Sequence, residues 1–510
     1  MNLLFLALGL LLILILWKFI ELNIWRSRCS QLMPGSRPSF LNPLGDVVKI
    51  VAKYIIHPDS NILHLNFFQL LKDNFLRFRK ETMFSLWVAY EPFVMIIKAD
   101  AAKELLKGTK INEKSWVYNF FKPFFGEGLL TSGGEKWKAR RKLLTPCFHS
   151  DIMKDFQLVF NEKCQKLADF FQGETDKDFT IIDYPIKLSS LDMMCETIFG
   201  ITANALENQD SQYAKAGVRL GDIFMGRIYN FWMWPEFIFN ATRTAKDFYY
   251  HLKVLQDFTK SVIKEKKDRY LKDAGEFERK KRKALMDMLL ERHFKFQDMN
   301  EDDIREEVDT FIMEGHDTIA ISIIWTLYLI GLYPDVQAKL HEELDRTFGS
   351  DRECAMTAED LNHLNYMECV IKESNRMYAV VPIFGRQVHE DTVICGHTVP
   401  KGASCMVLNY YLHRDESVFP DPEKFDPDRF LPENAANIPE YGYLPFSAGP
   451  RNCIGKVFAM QEMKTILSYI LRRFVLKSLD ERDKVKPVIH VILNNSIPIR
   501  IQFRNRQSDD

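Results

Sequence analysis

One ten-residue run near the C-terminus constrains this 510-residue chain more than any other feature. The run reads Phe446-Ser-Ala-Gly-Pro-Arg-Asn-Cys-Ile-Gly455, and its pattern F-x-x-G-x-R-x-C-x-G surrounds a single cysteine. Gly449 and Gly455 permit tight turns that direct backbone N–H groups toward sulfur, and such donors stabilise a thiolate. We therefore interpret Cys453 as the thiolate ligand of a haem iron. A buried structural cysteine is the alternative, since that is the usual fate of a free cysteine.

Two other side chains of this run are expected to contact the same cofactor. Phe446 is positioned to cover the sulfur side of the loop. Arg451 lies two residues before the cysteine, and its guanidinium can bond an anionic group such as a haem propionate.

A long helix is predicted over residues 302–333, where helical periodicity is unbroken until Pro334. At about 1.5 Å per residue it would be roughly 45 Å long, enough to cross an entire domain. Elsewhere helical periodicity also dominates. Residues 83–98 and 392–408 instead have the alternating, β-branched character of strands. The sequence therefore predicts a mainly α fold with small β-sheets.

The run Glu314-Gly-His-Asp-Thr318 contains the candidate catalytic residues of this helix. Glu314, Asp317 and Thr318 share one face, because positions i, i+3 and i+4 are neighbours on a helix. Gly315 leaves room for a flat ligand, and Thr318 can bond a carbonyl one turn back and open the helix locally.

These residue types suit the activation of dioxygen. Cleavage of its O–O bond requires controlled proton delivery, and an acid beside an alcohol can relay protons through water. Asp317 and Thr318 are the relay candidates. A polar cluster facing solvent is the alternative, but the apolar residues Ile319, Ala320 and Ile321 follow directly and argue against it.

With these motifs, the chain resembles the cytochromes P-450, the haem-thiolate monooxygenases, over about residues 34–503. The resemblance implies the P-450 fold, with its long central helix over a haem b. Glu314 is similar to the glutamate of the microsomal family 4 branch of animals and insects. In that branch it can form an ester with a haem methyl group, so the resemblance implies a covalently attached haem as one possibility.

Further site residues follow from the same resemblance. Trp137 and Arg141, one helical turn apart, correspond to residues that bind haem propionates, and so does Arg386. Without the other motifs, an amphipathic helix with a core tryptophan would explain the first pair equally well.

A structural network is implied by two other motifs, Glu373-Ser-Asn-Arg376 and Asp426-Pro-Asp-Arg-Phe430. Opposite charges at i and i+3 usually form a weak surface pair. In the family, the residues corresponding to Glu373, Arg376 and Arg429 form a buried network that supports the fold.

The N-terminus predicts a membrane anchor. Residues 3–20 are almost wholly apolar, which is roughly enough helix to cross a hydrocarbon core about 30 Å thick. Lys18, Arg26 and Arg28 follow while no Lys or Arg precedes, so the rest of the chain is expected in the cytosol. A cleaved signal peptide is the competing interpretation, but it requires a basic start and a small-residue cleavage site.

Three segments are therefore predicted: an anchor at 1–22, a basic linker with a proline hinge at 23–38, and a haem-binding monooxygenase domain at 39–510. The hinge is Pro34-Gly-Ser-Arg-Pro38, because proline has no N–H to donate and restricts the residue before it. The resemblance to microsomal relatives implies the endoplasmic reticulum membrane, with the catalytic domain facing the cytosol.

Charge and cysteine content exclude other classes. The net charge of -1 gives no general affinity for nucleic acid, and the charged residues 264–283 are expected to be a solvated helix end and loop. Nine irregularly spaced cysteines without a C-x-x-C pair indicate a reduced protein with no zinc or dithiol motif.

Electrons must come from a partner, since no dinucleotide-binding G-x-G-x-x-G follows a strand. The resemblance implies the membrane-bound NADPH-cytochrome reductase, with cytochrome b5 as a second candidate. A basic patch formed by Lys136, Lys138, Arg140, Lys142 and Lys456 is the predicted docking surface.

The leading hypothesis is a membrane-anchored monooxygenase for lipophilic substrates, with fatty acids or related lipids hydroxylated at or near the terminal carbon. Hormones and xenobiotics are further substrate classes among relatives. The alternatives are a haem-thiolate lipid-peroxide isomerase or dehydratase, and a non-catalytic haem sensor. Residues 116–125, 220–234 and 493–497 are the expected pocket walls, although apolar residues there serve equally well as packing.

Overall fold

The computed structural model describes residues 2–48, 60–108, 110–208, 211–272, 284–349 and 351–506. This part of the chain is mainly helical, as the sequence predicts. Its helices of seven residues or more are α1 Asn2–Cys29, α2 Ser60–Phe78, α3 Ala99–Leu106, α4 Gly134–Leu144, α5 Ser150–Gln172, α6 Asp183–Met194, α7 Gln212–Tyr229, α8 Arg243–Lys272, α9 Leu285–Glu291, α10 Glu301–Leu332, α11 Pro334–Phe348, α12 Asn365–Met377 and α13 Lys456–Arg473.

Shorter helical turns connect several of these helices. They cover Trp116–Phe121, Lys122–Phe125, Thr145–Phe148, Cys195–Phe199, Phe231–Met233, Glu236–Asn240, Arg292–Phe296, Asp360–His363, Asn409–Leu412, Pro427–Phe430 and Pro432–Ala435.

The β structure is small. Its strands are β1 Met83–Val88, β2 Glu91–Ile96, β3 Thr180–Ile181, β4 Phe384–Gln387, β5 Thr392–Ile394, β6 His397–Val399, β7 Ser404–Val407, β8 Phe474–Ser478, β9 Pro487–His490, β10 Ile492–Asn495 and β11 Arg500–Asn505. One sheet has the order β1-β2-β7-β4, with β2 and β7 parallel and Phe93 opposite Ser404. A second has the order β3-β11-β8, and two hairpins pair β5 with β6 and β9 with β10.

Helix α10 crosses the core and agrees closely with the predicted helix at 302–333. It begins with a capping box, in which Asn300 and Asp303 exchange side-chain to backbone bonds. It ends before Pro334, which lacks the N–H needed to continue it. Although α10 is long and apolar enough to cross a membrane, most of its apolar part is buried between α6, α12 and α13. It is therefore a core helix.

Helix α1 is a different case, because its apolar part, within Leu4–Cys29, could cross a membrane and is not buried against the protein. The helix continues past residue 22, where the sequence places the end of the anchor. No helix-breaking residue occurs before Pro34, so the helical segment runs on to Cys29. The predicted hinge then lies against β1, where Ser36 N donates to Ser85 O at 3.1 Å.

The charged segment 264–283 is described only as far as Lys272. There it forms the exposed end of α8, with an ion pair of 2.6 Å between Glu265 and Arg269. Its remainder, residues 273–283, lies outside the described residues.

Candidate active site

A cavity of 410 Å³ lies between the loop that carries Cys453 and the middle of α10. Cys453 and Phe446 line one side, and Glu314, Gly315 and Thr318 line the other. Most of the remaining wall is apolar. It includes Val117, Phe121, Leu130, Phe148, Ile228, Ile319, Val380, Val381, Ile383, Ile489 and Ile492. Residues predicted from motifs more than 100 positions apart therefore meet around one space.

The cysteine loop is held in a tight turn. Cys453 N donates to Phe446 O at 2.9 Å. Gly449 has a φ of +70°, and a Cβ there would lie 2.1 Å from Leu106 O, so only glycine fits. Gly455 has an ordinary φ of -92°, so the predicted need for glycine applies at Gly449 alone.

The Cys453 side chain is exposed and lines the cavity. Burial raises the pKa of its thiol, while the Gly455 N–H and the Arg141 guanidinium oppose that rise. Arg141 also donates to Asn452 O at 2.8 Å and to Asn452 Oδ1 at 2.7 Å, which fixes it beside the loop. The surroundings alone therefore favour the neutral thiol, and the Gly455 N–H and Arg141 limit the cost of forming the thiolate that a bound iron would require.

Buried cations gather at one side of the cavity. Arg451 donates to Asn112 O at 3.0 Å and to Ser132 O at 2.6 Å, and its guanidinium lies 4.3 Å from the Trp137 ring centre. Its Nη1 atom is buried without a partner among the described residues. An unpaired buried guanidinium nitrogen is costly, so this geometry fits the binding of an anionic group such as a haem propionate.

Two more cations lie close to Arg451. Arg386, on β4, is buried but does not line the cavity, and its Nη1 donates to Gly385 O at 3.1 Å. Lys114 lines the cavity and pairs with Arg386 through a backbone bridge. The Lys114 ammonium is 4.6 Å from the Tyr118 ring centre. Burial, Arg386 and Arg451 hold its pKa well below the usual value.

Sequence reasoning missed Lys114. It carries no motif, and a lysine in the polar run Asn112-Glu-Lys-Ser115 looks like an ordinary surface residue. Lys114 lies near Arg386 and Arg451 because its loop pairs with β4, a contact between segments that are distant in sequence.

On α10, Thr318 Oγ1 donates to Glu314 O at 2.7 Å, as expected. The helix nevertheless remains continuous, so the expected local opening is absent. The space beside Gly315 is taken by Met194 of α6, whose Cε would lie 2.0 Å from an added Cβ. Burial raises the pKa of Glu314 to about 7, with Lys114 opposing the rise and Asp317 adding to it.

Asp317 lines a second cavity of 400 Å³, on the other side of α10, whereas Glu314 and Thr318 line both. Lys187 Nζ lies 2.8 Å from Asp317 Oδ1. The three predicted α10 residues are therefore close together, but Asp317 faces the second space.

The second cavity was not predicted, although it contains parts of the expected pocket walls. Its lining includes Phe124, Leu220, Phe224, Asn494 and Asn495. Helix α7 and the β9–β10 hairpin meet across it through His490 Nδ1 and Asp222 Oδ1, 2.8 Å apart. The walls predicted at 116–125 and 220–234 thus contribute to both cavities, whereas the wall predicted at 493–497 contributes only to the second.

Comparison with known proteins identifies the family. The sequence profile of the family Cytochrome P450 matches residues 59–503. The chain belongs to the cytochrome P450 family. This P450 is 40% identical to Cytochrome P450 4V2 of Homo sapiens over 468 residues, covering 89% of this chain and 88% of the relative. It is also 40% identical to Cytochrome P450 4V2 of Rattus norvegicus over 453 residues, covering 87% and 86%.

An insect relative is similar as well. Cytochrome P450 4c3 of Drosophila melanogaster is 38% identical over 440 residues, covering 82% of this chain and 81% of the relative. Together these relatives confirm the predicted resemblance to family 4 of animal and insect type. The chain is therefore an oxidoreductase of the monooxygenase class with a haem cofactor. The cavity, the cysteine loop and the unpaired Arg451 nitrogen all fit that group.

The network predicted around Glu373 is present geometrically in this P450. Arg376 donates from Nε and Nη2 to the Glu373 carboxylate at 2.7 and 2.9 Å, and neither side chain is exposed. Arg429 Nε lies 3.4 Å from Glu373 Oε1, and Asp426 N donates to the same oxygen at 2.9 Å. These contacts join α12 to the loop that precedes the cysteine run.

The predicted basic patch is only partly exposed. Arg140 is buried and pairs with Asp303 at 2.5 Å, so it does not belong to an open surface. Lys136 lies within 4 Å of Glu127, Asp303 and Glu306. Asp303 and Glu306 belong to the acidic first half of α10, which is distant in sequence, and their carboxylates offset the positive charges of Lys136 and Arg140. Lys138, Lys142 and Lys456 remain exposed, and Lys138 pairs with Glu135 at 2.6 Å.

Proposed function

We propose that this P450 is a membrane-anchored haem-thiolate monooxygenase that hydroxylates fatty acids or related chain-like lipids at or near the terminal carbon. The observation that carries the proposal is the apolar cavity between Cys453 and the Glu314–Thr318 turn. Its walls favour a hydrocarbon chain over a polar substrate. Family 4 membership supports the lipid class.

The chain's own residues would hold the haem as follows. Cys453 would bind the iron, and Phe446 would cover the sulfur. Arg451, Arg386 and Lys114, with Trp137 and Arg141, would surround the two propionates, whose negative charges would neutralise the buried cations. When bound, the haem supplies the iron at which dioxygen is activated, and thiolate ligation favours O–O cleavage.

Glu314 is our candidate for a covalent ester with a haem methyl group. It lines the cavity and is removed from bulk water, which would protect such an ester from hydrolysis. A haem fixed in this way would stiffen the pocket. Terminal methyl C–H bonds are stronger than internal ones, so oxidation at a chain end requires a restrained substrate.

Thr318 and Asp317 would act in proton delivery. The Thr318 hydroxyl already donates its hydrogen to Glu314 O, which leaves its oxygen free to accept from a water. Asp317 lies one residue away at the second cavity. This arrangement supports proton transfer from that cavity across α10, with Thr318 orienting the water.

The electron donor in this proposal is the NADPH-cytochrome reductase, with cytochrome b5 as a further candidate. Exposed Lys142 and Lys456, on the cysteine side of the domain, could receive an acidic partner. Positive residues after the apolar part of α1 support an endoplasmic reticulum protein whose catalytic domain faces the cytosol.

The test uses the full chain in phosphatidylcholine vesicles with the reductase. Lipids are screened for a spectral shift of the haem, and products of those that bind are identified by mass spectrometry with and without NADPH and oxygen. We expect terminal or near-terminal hydroxylation that requires both. Conversion of lipid peroxides without either would instead indicate the isomerase, and binding without turnover the sensor.

The thiolate ligand is tested in the same preparation. The ferrous carbon monoxide complex should show the red-shifted absorption of sulfur ligation. Cys453→Ser should abolish it, whereas Cys395→Ser, at a half-buried cysteine distant in sequence, should leave it unchanged. A normal spectrum in Cys453→Ser would refute the assignment.

A further inference from the structure

The end of α1 is fastened to the catalytic domain by buried polar contacts. Arg26 is only 1% exposed, and its Nη1 donates to Ala89 O at 3.1 Å. Its Nη2 donates to Ser39 O at 3.1 Å and to Asn23 Oδ1 at 2.8 Å. We call Asn23, Arg26, Ser39, Ala89 and Tyr90 the anchor clasp.

Tyr90 completes the clasp at the turn between β1 and β2. Its ring centre is 4.7 Å from the Arg26 guanidinium carbon, and its hydroxyl accepts from Asn23 Nδ2 at 3.0 Å. A buried guanidinium requires such bonds, because leaving it unpaired costs free energy. The clasp therefore specifies one position of α1 against the hairpin.

Other contacts restrain the same helix. Trp25 and Trp87 pack edge to face with ring centres 5.7 Å apart, and Cys29 and Ser30 are buried. Contacts from residue 23 to residue 30 span about two helical turns. The bonds of Arg26 and the packing of Trp25 on Trp87 thus attach α1 at more than one residue, so the helix cannot pivot about either residue alone.

A short turn extends from the domain back along the anchor. Phe40 packs edge to face on Phe19, with ring centres 5.7 Å apart. Phe19 precedes Arg26 by seven residues, so it lies about 10 Å farther along α1 toward its apolar end. The turn is ordered by bonds from Asn42 N to Ser39 O and from Asn42 Nδ2 to Gly45 O, both 2.9 Å.

This turn exposes two apolar side chains beside the part of α1 where the apolar residues give way to charged ones. Phe40 is 46% exposed and Leu41 is 87% exposed. The neighbouring level of α1 carries Trp17 and Lys18, residue types that prefer the boundary between lipid and water. A lipid bilayer that surrounds the apolar part of α1 would also cover this turn.

We propose that the bilayer is the partner of the turn at 39–42, which inserts Phe40 and Leu41 into the lipid interface while the anchor clasp fixes the orientation of the domain on the membrane. The proposal rests on the membrane anchor proposed above. The tilt of α1 in the bilayer then sets which face of the catalytic domain approaches the lipids.

Lipid contact is tested on the full haem-loaded chain in phosphatidylcholine vesicles. A fluorescent amino acid replaces Leu41, and quenching is measured with lipids that carry a spin label near the headgroup. The control position is Leu158, which is 73% exposed on α5. We expect strong quenching at position 41 and little at 158. Equal, weak quenching at both positions would overturn the proposal.

The clasp is tested by two charge deletions at the same end of α1. In Arg26→Ala, most of the quenching at position 41 should be lost, because the bond from Arg26 to Ser39 O no longer holds the turn against α1. Arg28→Ala removes an exposed charge and should retain it. Full quenching in Arg26→Ala, with an unchanged carbon monoxide spectrum, would overturn the role of the clasp.

Alkaline carbonate extraction distinguishes a failure of the proposed membrane anchor from a failure of the proposed lipid contact at residues 39–42. Protein that is extracted by carbonate would refute the membrane anchor and this inference with it. Protein that remains in the membrane but is not quenched at position 41 would refute this inference alone.

Discussion

Lys187 Nζ lies 2.8 Å from Asp317 Oδ1, so a cation from α6 neutralises the acid next to Thr318. Burial alone would raise the pKa of Asp317, but Lys187 and His316 outweigh it and hold that pKa below its usual value. Asp317 is therefore ionised at neutral pH. A proton can enter through this residue only if the ion pair loosens during turnover.

Lys187→Met should destabilise the protein at pH 7. Because the folded pKa of Asp317 is depressed, the pair stabilises the fold above the unfolded pKa of about 3.9 and stops doing so as pH falls through the folded pKa. Breaking a buried pair costs about 3–5 kcal/mol, and partial exposure reduces the expected loss here to about 1–2 kcal/mol.

Urea midpoints followed by circular dichroism at several pH values measure this difference in stability, which should persist from pH 7 to about pH 5 and narrow as the pH falls below about 4. Lys138→Met removes a cation from an exposed pair with Glu135 and should change stability by less than about 1 kcal/mol. A Lys187→Met protein as stable as wild type at pH 7 would contradict the account.

Acid extraction should leave haem attached to the wild-type protein if Glu314 forms the ester. Glu314→Ala removes the carboxyl oxygen that would make the bond, so its haem should be released completely. Asp317→Asn changes an acid three residues away and should retain the attached haem. The fraction of haem that migrates with the polypeptide is measured chromatographically. Complete release from active wild-type protein would remove the ester and leave the monooxygenase assignment intact.

Lys114→Met should weaken haem retention. A hydrogen bond to a charged group contributes about 1.5–3 kcal/mol, which corresponds to about tenfold or more in haem affinity. The loss rate is measured by transfer of haem to excess apomyoglobin, with Glu314→Ala present in the reference protein and in both variants so that no ester retains the haem. Lys110→Met, at an exposed position of the same loop, is the control. Haem loss at the wild-type rate from Lys114→Met would exclude a propionate contact.

Glu373→Ala and Arg376→Ala should each yield protein without haem. Breaking a buried pair at one partner costs about 3–5 kcal/mol, because the other charge stays buried without compensation. The ratio of haem absorbance to protein absorbance measures the outcome. Lys372→Ala affects a half-exposed pair with Glu368 and should cost no more than about 1 kcal/mol. Normal haem content in either core variant would be inconsistent with a structural role.

Features carried by local sequence were predictable. The bounds of α10 follow from its periodicity, the cap at Asn300 and the stop at Pro334. Cys453, Arg451 and their loop follow from residue spacing alone, because a turn around one sulfur atom is a local structure. The family resemblance extends this to Glu373 and Arg376, whose spacing on α12 is again local.

Features that depend on distant elements were not predictable. Lys187 meets Asp317 only because α6 crosses α10, and Met194 fills the space beside Gly315 for the same reason. Arg140 is buried because acidic residues of α10 pack on α4. Helical periodicity tells which face of each helix is apolar, but it does not tell which helix will cover that face.

The parallel pairing of β2 with β7 has a consequence for synthesis in the cell. The ribosome completes the β1–β2 hairpin early, yet its hydrogen-bonding partner near Ser404 emerges only when most of the polypeptide has been translated. Meanwhile one edge of β2 is unpaired, and unpaired edges invite association with other nascent chains. The membrane anchor proposed above would hold the nascent chain at a bilayer and so restrict such encounters until that edge is covered.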